Sequence, residues 1–235
     1  MPRSPGSPGW PTPRLRFGGW LLLASFPLAG LGSAWPAWDF AQISHTAQKR
    51  YASLGPTQGR IQPWSEMLQN GRNLPEQEQL TAVNRFFNQQ LDFQDDARIW
   101  RQSDYWATPV EALIKAAGDC EDYALAKYFS LRQLGIPSDK LRITYVKALK
   151  QNQAHMVLTY YSSPGAEPLV LDNLIGDIRP ASQRKDLLPV YAFNAEGLYL
   201  PGKPGHPRSG DSKKLSRWQD VLKKMQTEGF AVGDG

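Results

Sequence analysis

The sequence contains a single cysteine, Cys120, and only three histidines among its 235 residues. One cysteine excludes an internal disulfide, and the lack of paired cysteines or histidines argues against a zinc site. Excess charge of either sign is also lacking. Residues 1–34 carry three arginines and no acid, and without them 24 basic residues face 22 acidic residues. This balance does not favour a nucleic-acid partner.

Only one stretch combines length with apolar character, residues 17–31. Arg14 and Arg16 precede it, and small residues up to Ala34 close it, which is the layout of a secretory signal peptide. The stretch is short and contains Pro27, so a permanent membrane span is disfavoured. We predict that residues 1–34 are removed on export and that no span remains after processing. A retained anchor is the alternative.

The hydrophobic period changes along the chain from helical to alternating. The predicted helices include residues 39–54, 75–91, 109–117 and 120–134, with a breaker-rich loop over residues 55–63. The predicted strands are residues 141–146, 155–161 and 169–172, with a hairpin turn at residues 162–165. Residues 201–211 predict a linker. A C-terminal helix follows, whose apolar face docks on the body or, as the alternative, binds a membrane surface.

Cys120 lies where one of these helices begins. Asp119 is a favourable N-cap residue, and Asp122 three positions later resembles a capping box. The free N–H groups and the dipole at a helix N-terminus favour a thiolate. Cys120 is therefore a candidate nucleophile. The alternative is that it is a small buried hydrophobic residue.

A nucleophilic cysteine needs a base, and the base needs a third group that orients it. A hairpin turn centred between Ser163 and Pro164 would place His155 opposite Asp172 on one face of the sheet. His45 has no obvious partner, and His206 lies in the predicted linker. Cys120, His155 and Asp172 are therefore the predicted catalytic triad. Separately, His155 could be an ordinary half-buried residue and Asp172 part of a turn.

Three carboxylates surround the thiol in sequence: Asp119, Glu121 and Asp122. Negative charge raises the pKa of a thiol, and a helix dipole offsets only part of that effect. We therefore predict a bound cation with oxygen ligands, calcium rather than magnesium, because calcium accepts looser geometry. The alternative is that these acids only cap the helix and form salt bridges.

The sequence resembles the LapG group of bacterial transglutaminase-like cysteine proteases over roughly residues 40–200. The similar motifs are residues 83–88, 100–106, 118–124, 127–128, 134–137, 154–158 and 170–173. The resemblance implies an α+β fold of the papain-like, transglutaminase-like type, with N-terminal helices packed on an antiparallel β-sheet. It divides the chain into a signal peptide at residues 1–34, a protease domain at 35–200, and a linker and C-terminal helix with a tail at 201–235.

The resemblance further implies a calcium-dependent periplasmic endopeptidase, with Asp119 and Glu121 at the family's ligand positions and Asp122 as a further ligand. Its substrate would be the N-terminal region of a large repeat adhesin, cut at a small-residue site of the Ala-Ala type. A LapD-type inner-membrane cyclic-di-GMP receptor would sequester it. The backbone N–H of Cys120 would donate to the oxyanion, with Trp106 as a candidate side-chain donor.

Two other functions remain open from the sequence alone. The same triad would serve an acyltransferase or amidase of the transglutaminase type. A calcium-binding interaction module with a silent thiol is the non-enzymatic alternative.

Overall fold

The computed structural model describes residues 1–2, 37–52, 58–201 and 208–232. The chain divides into units at residues 1–31 and 32–235, and the helices and strands of the described residues belong to the second unit. Apart from Met1 and Pro2, the predicted signal peptide lies outside the described residues, as does His206. The helices are α1 (Phe40–Tyr51), α2 (Gln58–Gly71), α3 (Glu76–Gln90), α4 (Asp96–Ile99), α5 (Pro109–Lys115), α6 (Cys120–Gln133) and α7 (Ser216–Thr227). Within these ranges, none of the helices has the length and apolar character needed to cross a bilayer.

The strands form two sheets. They are β1 (Asp92–Phe93), β2 (Ala117–Gly118), β3 (Leu141–Ala148), β4 (Gln153–Tyr160), β5 (Leu169–Leu171), β6 (Arg179–Pro180), β7 (Leu187–Asn194), β8 (Gly197–Tyr199) and β9 (Arg208–Gly210). β1 and β2 form a short parallel pair, and the other strands form a sheet of order β6-β5-β4-β3-β7-β8-β9. All pairs in this larger sheet are antiparallel. Helices therefore precede an antiparallel sheet, and the predicted α+β class is confirmed.

α6 is the helix that carries Cys120, and its two ends follow the predicted pattern. Asp119 is the N-cap residue in an extended conformation, so the helix begins at Cys120. At the other end Gly135 has a φ of +97°, and the N–H of Ile136 donates to the carbonyl of Leu131 at 3.1 Å. Glycine tolerates this left-handed conformation and ends the helix. α6 packs against β4, so Cys120 is held beside one end of the sheet.

The main core is rich in aromatic side chains, and the last helix completes it. Trp218 on α7 is fully buried and stacks on Phe129 of α6, with ring centroids 5.4 Å apart. It also makes edge contacts with Tyr128 and Phe193. The apolar face that the sequence predicted for this helix is therefore docked on the body, as expected.

A buried polar cluster fixes the end of α7 to α1 and α5. Glu228 accepts hydrogen bonds from the hydroxyls of Tyr51 and Thr108, each at 2.7 Å. Lys224 forms an ion pair with Glu111 at 2.8 Å. Burial, followed by the nearby Glu111, raises the pKa of Glu228 to about 7. The C-terminal helix is thus anchored by polar contacts as well as by packing.

Three expectations about local structure were wrong. The predicted linker at residues 201–211 contains strand β9, which pairs with β8. The predicted loop at residues 55–63 is helical from Gln58, because Pro63 removes only one backbone donor while Ile61 and Trp64 become fully buried in the core. The predicted hairpin register was also wrong. It would pair Leu158 with Leu169, whereas Leu158 pairs with Leu171. The turn is centred one residue later than expected, and Asp172 follows the end of β5.

Candidate active site

Cys120 lines a cleft of about 710 Å³ together with His155, Asp119, Glu121 and Trp106. Its thiol donates a hydrogen bond to Oε2 of Glu121 at 3.0 Å. Burial and the negative charge of Glu121 raise the pKa of this thiol, and a backbone hydrogen bond from Met156 acts in the opposite direction. The chain by itself therefore favours the protonated thiol, despite its position at a helix N-terminus.

His155 and Asp172 form a buried pair. Nε2 of His155 and Oδ1 of Asp172 are 2.8 Å apart, and the two side chains are 3% and 0% exposed. An ionised carboxylate only accepts, so Nε2 carries the proton and Nδ1 is the basic nitrogen. In the described part of the chain Nδ1 has no hydrogen-bond partner. The structure thus brings the two residues together even though the predicted strand register was wrong.

Arg184 extends this pair, and sequence reasoning missed it. Its Nη2 donates to Oδ2 of Asp172 at 2.6 Å and to Oδ2 of Asp186 at 2.9 Å. Its side chain is 1% exposed. Burial alone would raise the pKa of Asp172, but hydrogen bonds from His155 and Arg184 lower it to about 2. Asp172 therefore remains ionised and fixed in place beside the imidazole.

A second buried cation lies near Asp172. Lys127 on α6 is 1% exposed, and among the described residues its Nζ has no hydrogen-bond partner. Burial lowers the pKa of Lys127 to about 7, while the charge of Asp172 acts to raise it. Lys127 belongs to the motif at residues 127–128, but the sequence assigned it no role, because a lysine on a helix is usually exposed.

The acids around Cys120 belong to a larger carboxylate cluster, which we call the acidic cluster: Asp96, Asp104, Asp119, Glu121 and Asp122. Ligand oxygens of Asp96, Asp104 and Glu121 lie within 4.8 Å of one another, as do those of Asp96, Asp119 and Asp122. Asp96 and Asp104 come from α4 and the loop after it, and the sequence had not pointed to either.

The acidic cluster contains carboxylate oxygens that no donor satisfies. Oδ1 of Asp96 and Oδ1 of Asp119 are buried and have no hydrogen-bond partner in the described ranges. Burial, followed by the charge of Glu121, raises the pKa of Asp119 to about 10. Burial also raises the pKa of Asp96 to about 6. Unsatisfied oxygens on several carboxylates suit a hard cation such as calcium.

Asp122 differs from the other members because backbone donors engage both of its oxygens. Oδ1 accepts from the N–H of Ala107 at 2.7 Å, and Oδ2 accepts from the N–H of Asp119 at 3.4 Å. Its side chain is completely buried. These contacts hold the loop before α5 against the start of α6, so Asp122 helps to shape the cluster from behind.

The remaining candidates differ in their proximity to the cleft. Trp106 lines the cleft, and its ring stacks on Phe193 with centroids 5.7 Å apart. His45 is exposed on α1 and borders a separate pocket with residues of α1 and α2. Among the described residues, His155 is therefore the histidine at the cleft.

Comparisons with known proteins point to one family. The family model of the bacterial transglutaminase-like cysteine proteinases (BTLCP) matches residues 64–186. The structure of Legionella pneumophila LapG is 44% identical to the chain, covers 81% of it and 99% of its own length, and has a TM-score of 0.69. No curated protein matches the chain.

Two further structures of the same Legionella pneumophila protein are also similar. The EGTA-treated form is 44% identical, with coverage of 81% of this chain and 99% of its own and a TM-score of 0.70. The calcium-bound form is 43% identical, with coverage of 80% and 99% and a TM-score of 0.68.

Proposed function

The chain belongs to the bacterial transglutaminase-like cysteine proteinase family, and on that basis we propose that it is a calcium-dependent cysteine endopeptidase. The observation that carries this proposal is the set of side chains that line the cleft. Cys120 stands at the N-terminus of α6, and a histidine with its own buried carboxylate lines the same cleft. This is the arrangement that nucleophilic catalysis by a cysteine requires.

Each member of the triad has a defined task in peptide cleavage. Nδ1 of His155 takes the thiol proton, and the sulfur of Cys120 attacks the scissile carbonyl carbon. The same nitrogen returns the proton to the leaving amine, and water then hydrolyses the thioester. Asp172 holds the Nε2–H tautomer throughout and stabilises the imidazolium. The backbone N–H of Cys120 is the proposed oxyanion donor, because helix N-termini present free N–H groups.

Asp119 and Glu121 are the proposed calcium ligands, joined by Asp96 and Asp104. The unsatisfied oxygens of Asp96 and Asp119 support this choice, whereas both oxygens of Asp122 already accept backbone hydrogen bonds. When bound, calcium would supply positive charge beside the thiol and lower the pKa that burial and the carboxylates raise. The calcium-bound and EGTA-treated structures of Legionella pneumophila LapG also support it.

The proposed substrate is the N-terminal region of a large surface adhesin, cut at a small-residue site. Cleavage would release the adhesin and promote biofilm dispersal. The enzyme would act in the periplasm after removal of the signal peptide. It would be controlled by a LapD-type cyclic-di-GMP receptor in the inner membrane. The resemblance of the sequence to the LapG group and the signal-like residues 14–34 support these points.

The proposal is tested with the exported protein and the N-terminal region of a candidate adhesin encoded nearby. We expect backbone cleavage, detected as two fragments by mass spectrometry, and no cleavage by Cys120→Ala. EGTA should stop cleavage, and added calcium but not magnesium should restore it. His45→Ala is the matched control for loss of a histidine and should cleave normally.

Other outcomes would redirect the assignment. A glutamine-dependent crosslink without backbone cleavage would indicate an acyltransferase. Full cleavage by Cys120→Ala would remove the cysteine-protease mechanism. Adhesin binding without turnover by the parent protein would leave only an interaction module.

A further inference from the structure

A second cavity lies against the face of the large sheet that points away from α6. Its volume is about 280 Å³, and we call it the Arg142 cavity. Val146, Val157 and Val170 line it and form a small buried cluster of their own. Side chains alternate along a strand, so Val157 faces this cavity while its neighbours Met156 and Leu158 join the main core. The cavity is thus separate from the main core.

Arg142 places an uncompensated positive charge in this apolar cavity. The residue is 8% exposed. Its guanidinium carbon lies 3.9 Å from the ring centroid of Tyr199 and 4.4 Å from that of Tyr161. Within the described ranges it has no carboxylate partner, and its buried Nε has no hydrogen-bond acceptor. Cation–π contacts offset part of the desolvation penalty, but they satisfy none of the N–H donors.

The other charge that lines the cavity is already neutralised. Arg184 pairs with Asp172 and Asp186, although its buried Nη1 has no hydrogen-bond partner among the described residues. The hydroxyls of Thr144 and Thr159 are 2.8 Å apart, and Thr159 also donates to the backbone carbonyl of Arg142 at 3.1 Å. Among the described residues that line the cavity, Arg142 is therefore the one whose charge is not neutralised by a carboxylate. A single free guanidinium suits a monoanion, and its planar fork matches a carboxylate.

The size of the cavity limits the rest of the ligand. Small-molecule pockets begin at roughly 300 Å³, so the Arg142 cavity admits a compact molecule but no folded segment. The valine side chains and the two tyrosine rings offer apolar contact to its body.

We propose that the Arg142 cavity is a binding site for a small monocarboxylate with an apolar body. The carboxylate pairs with the guanidinium of Arg142, and the body packs on Val146, Val157 and Val170. Nothing in this proposal depends on the peptidase activity, so the two fail separately.

The test uses 3-phenylpropionate as the probe, with 3-phenylpropan-1-ol and 3-phenylpropylammonium as matched controls of neutral and positive charge. Binding to the full-length protein is followed by NMR of the valine methyl groups. We expect saturable shifts at Val146, Val157 and Val170 with the carboxylate. The alcohol should bind at least tenfold more weakly, and the ammonium should not bind. Arg142→Met should lose at least tenfold in affinity, whereas Arg72→Met, at an exposed turn, should not change.

Equal affinity for the carboxylate and the alcohol would overturn the proposal, as would unchanged affinity in a folded Arg142→Met variant. Shifts confined to valine methyl groups outside the cavity, such as those of Val83 in the main core, would overturn it as well. If Arg142→Met does not fold, the comparison of the three probes on the unmodified protein still decides the outcome.

Discussion

Asp172 and Asp119 are two aspartates of the candidate active site, the first beside His155 and the second beside Cys120. Their pKa values nevertheless shift in opposite directions. The pKa of Asp172 falls to about 2, because His155 and Arg184 outweigh the effect of burial. The pKa of Asp119 rises to about 10, because burial and neighbouring carboxylates act together. The chain neutralises the first carboxylate with its own cations. In the acidic cluster Arg217 pairs only with Asp104, at 3.1 Å, and no described cation pairs with Asp119. In the proposed function, calcium from solution supplies the missing positive charge there.

The largest expected effect comes from removing His155, the proposed base, which pairs with Asp172. His155→Ala should lower kcat by roughly 10⁴-fold or more, because it removes the imidazole that takes the thiol proton and returns it to the leaving amine. Steady-state cleavage assays measure this effect. His45→Ala should retain the parent rate, and equal losses in the two variants would show that His155 has no special role.

Asp172→Asn should cost roughly 10³- to 10⁴-fold in kcat, because an amide stabilises the wrong tautomer of the imidazole. Added calcium should not rescue this variant, because Asp172 is neutralised by His155 and Arg184 and lies outside the acidic cluster. A full return of activity at high calcium would contradict this distinction between Asp172 and the acidic cluster. Thermal unfolding of the variant, followed by circular dichroism, controls for loss of the fold.

The same substitution in the acidic cluster should behave differently. Asp119→Asn should weaken calcium binding by on the order of 10²-fold, and high calcium should restore cleavage. Calorimetric titration with calcium measures the affinity directly. Asp139→Asn, at an exposed aspartate outside the cluster, is the matched control. Unaltered calcium affinity in Asp119→Asn would remove Asp119 from the proposed ligands.

The last effect leaves the activity aside and concerns the stability contributed by Lys127, the buried lysine near Asp172 whose Nζ has no hydrogen bond among the described residues. Its folded pKa of about 7 lies below the usual value, so the unfolded chain binds more protons above that pH. The stability of the parent should therefore rise relative to Lys127→Met between about pH 7 and pH 10, by at most about 1.4 kcal/mol per pH unit. Paired urea titrations across this range measure the difference. A constant difference would show that Lys127 does not titrate there.

The sequence predicted what local patterns control. Asp119 and Gly135 mark the ends of α6, because capping and termination depend on adjacent residues. The pairing of His155 with Asp172 was expected through a turn that proved to be centred one residue later. The hydrogen bond between His155 and Asp172 forms all the same, because Asp172 directly follows β5 and its carboxylate reaches Nε2 of His155.

Contacts to the site from residues distant in sequence were not predicted, and the reason is physical. Asp96 and Asp104 reach the acidic cluster from α4 and the loop after it, and Arg184 reaches Asp172 from after β6. No short-range spacing links these residues to Cys120. The error at Pro63 had a different source, because burial of Ile61 and Trp64 outweighed the intrinsic helix-breaking tendency of proline.

Trp218 makes the packing of α6 depend on a helix that lies far along the chain. Its ring packs on Tyr128 and Phe129, midway along the helix that begins with Cys120. During synthesis, residues 120–133 leave the ribosome well before residue 218 exists. The core around the middle of α6 is therefore incomplete until α7 has been synthesised and has docked. We expect a variant truncated before α7 to keep the thiol of Cys120 but to lose the packing that holds α6 in place.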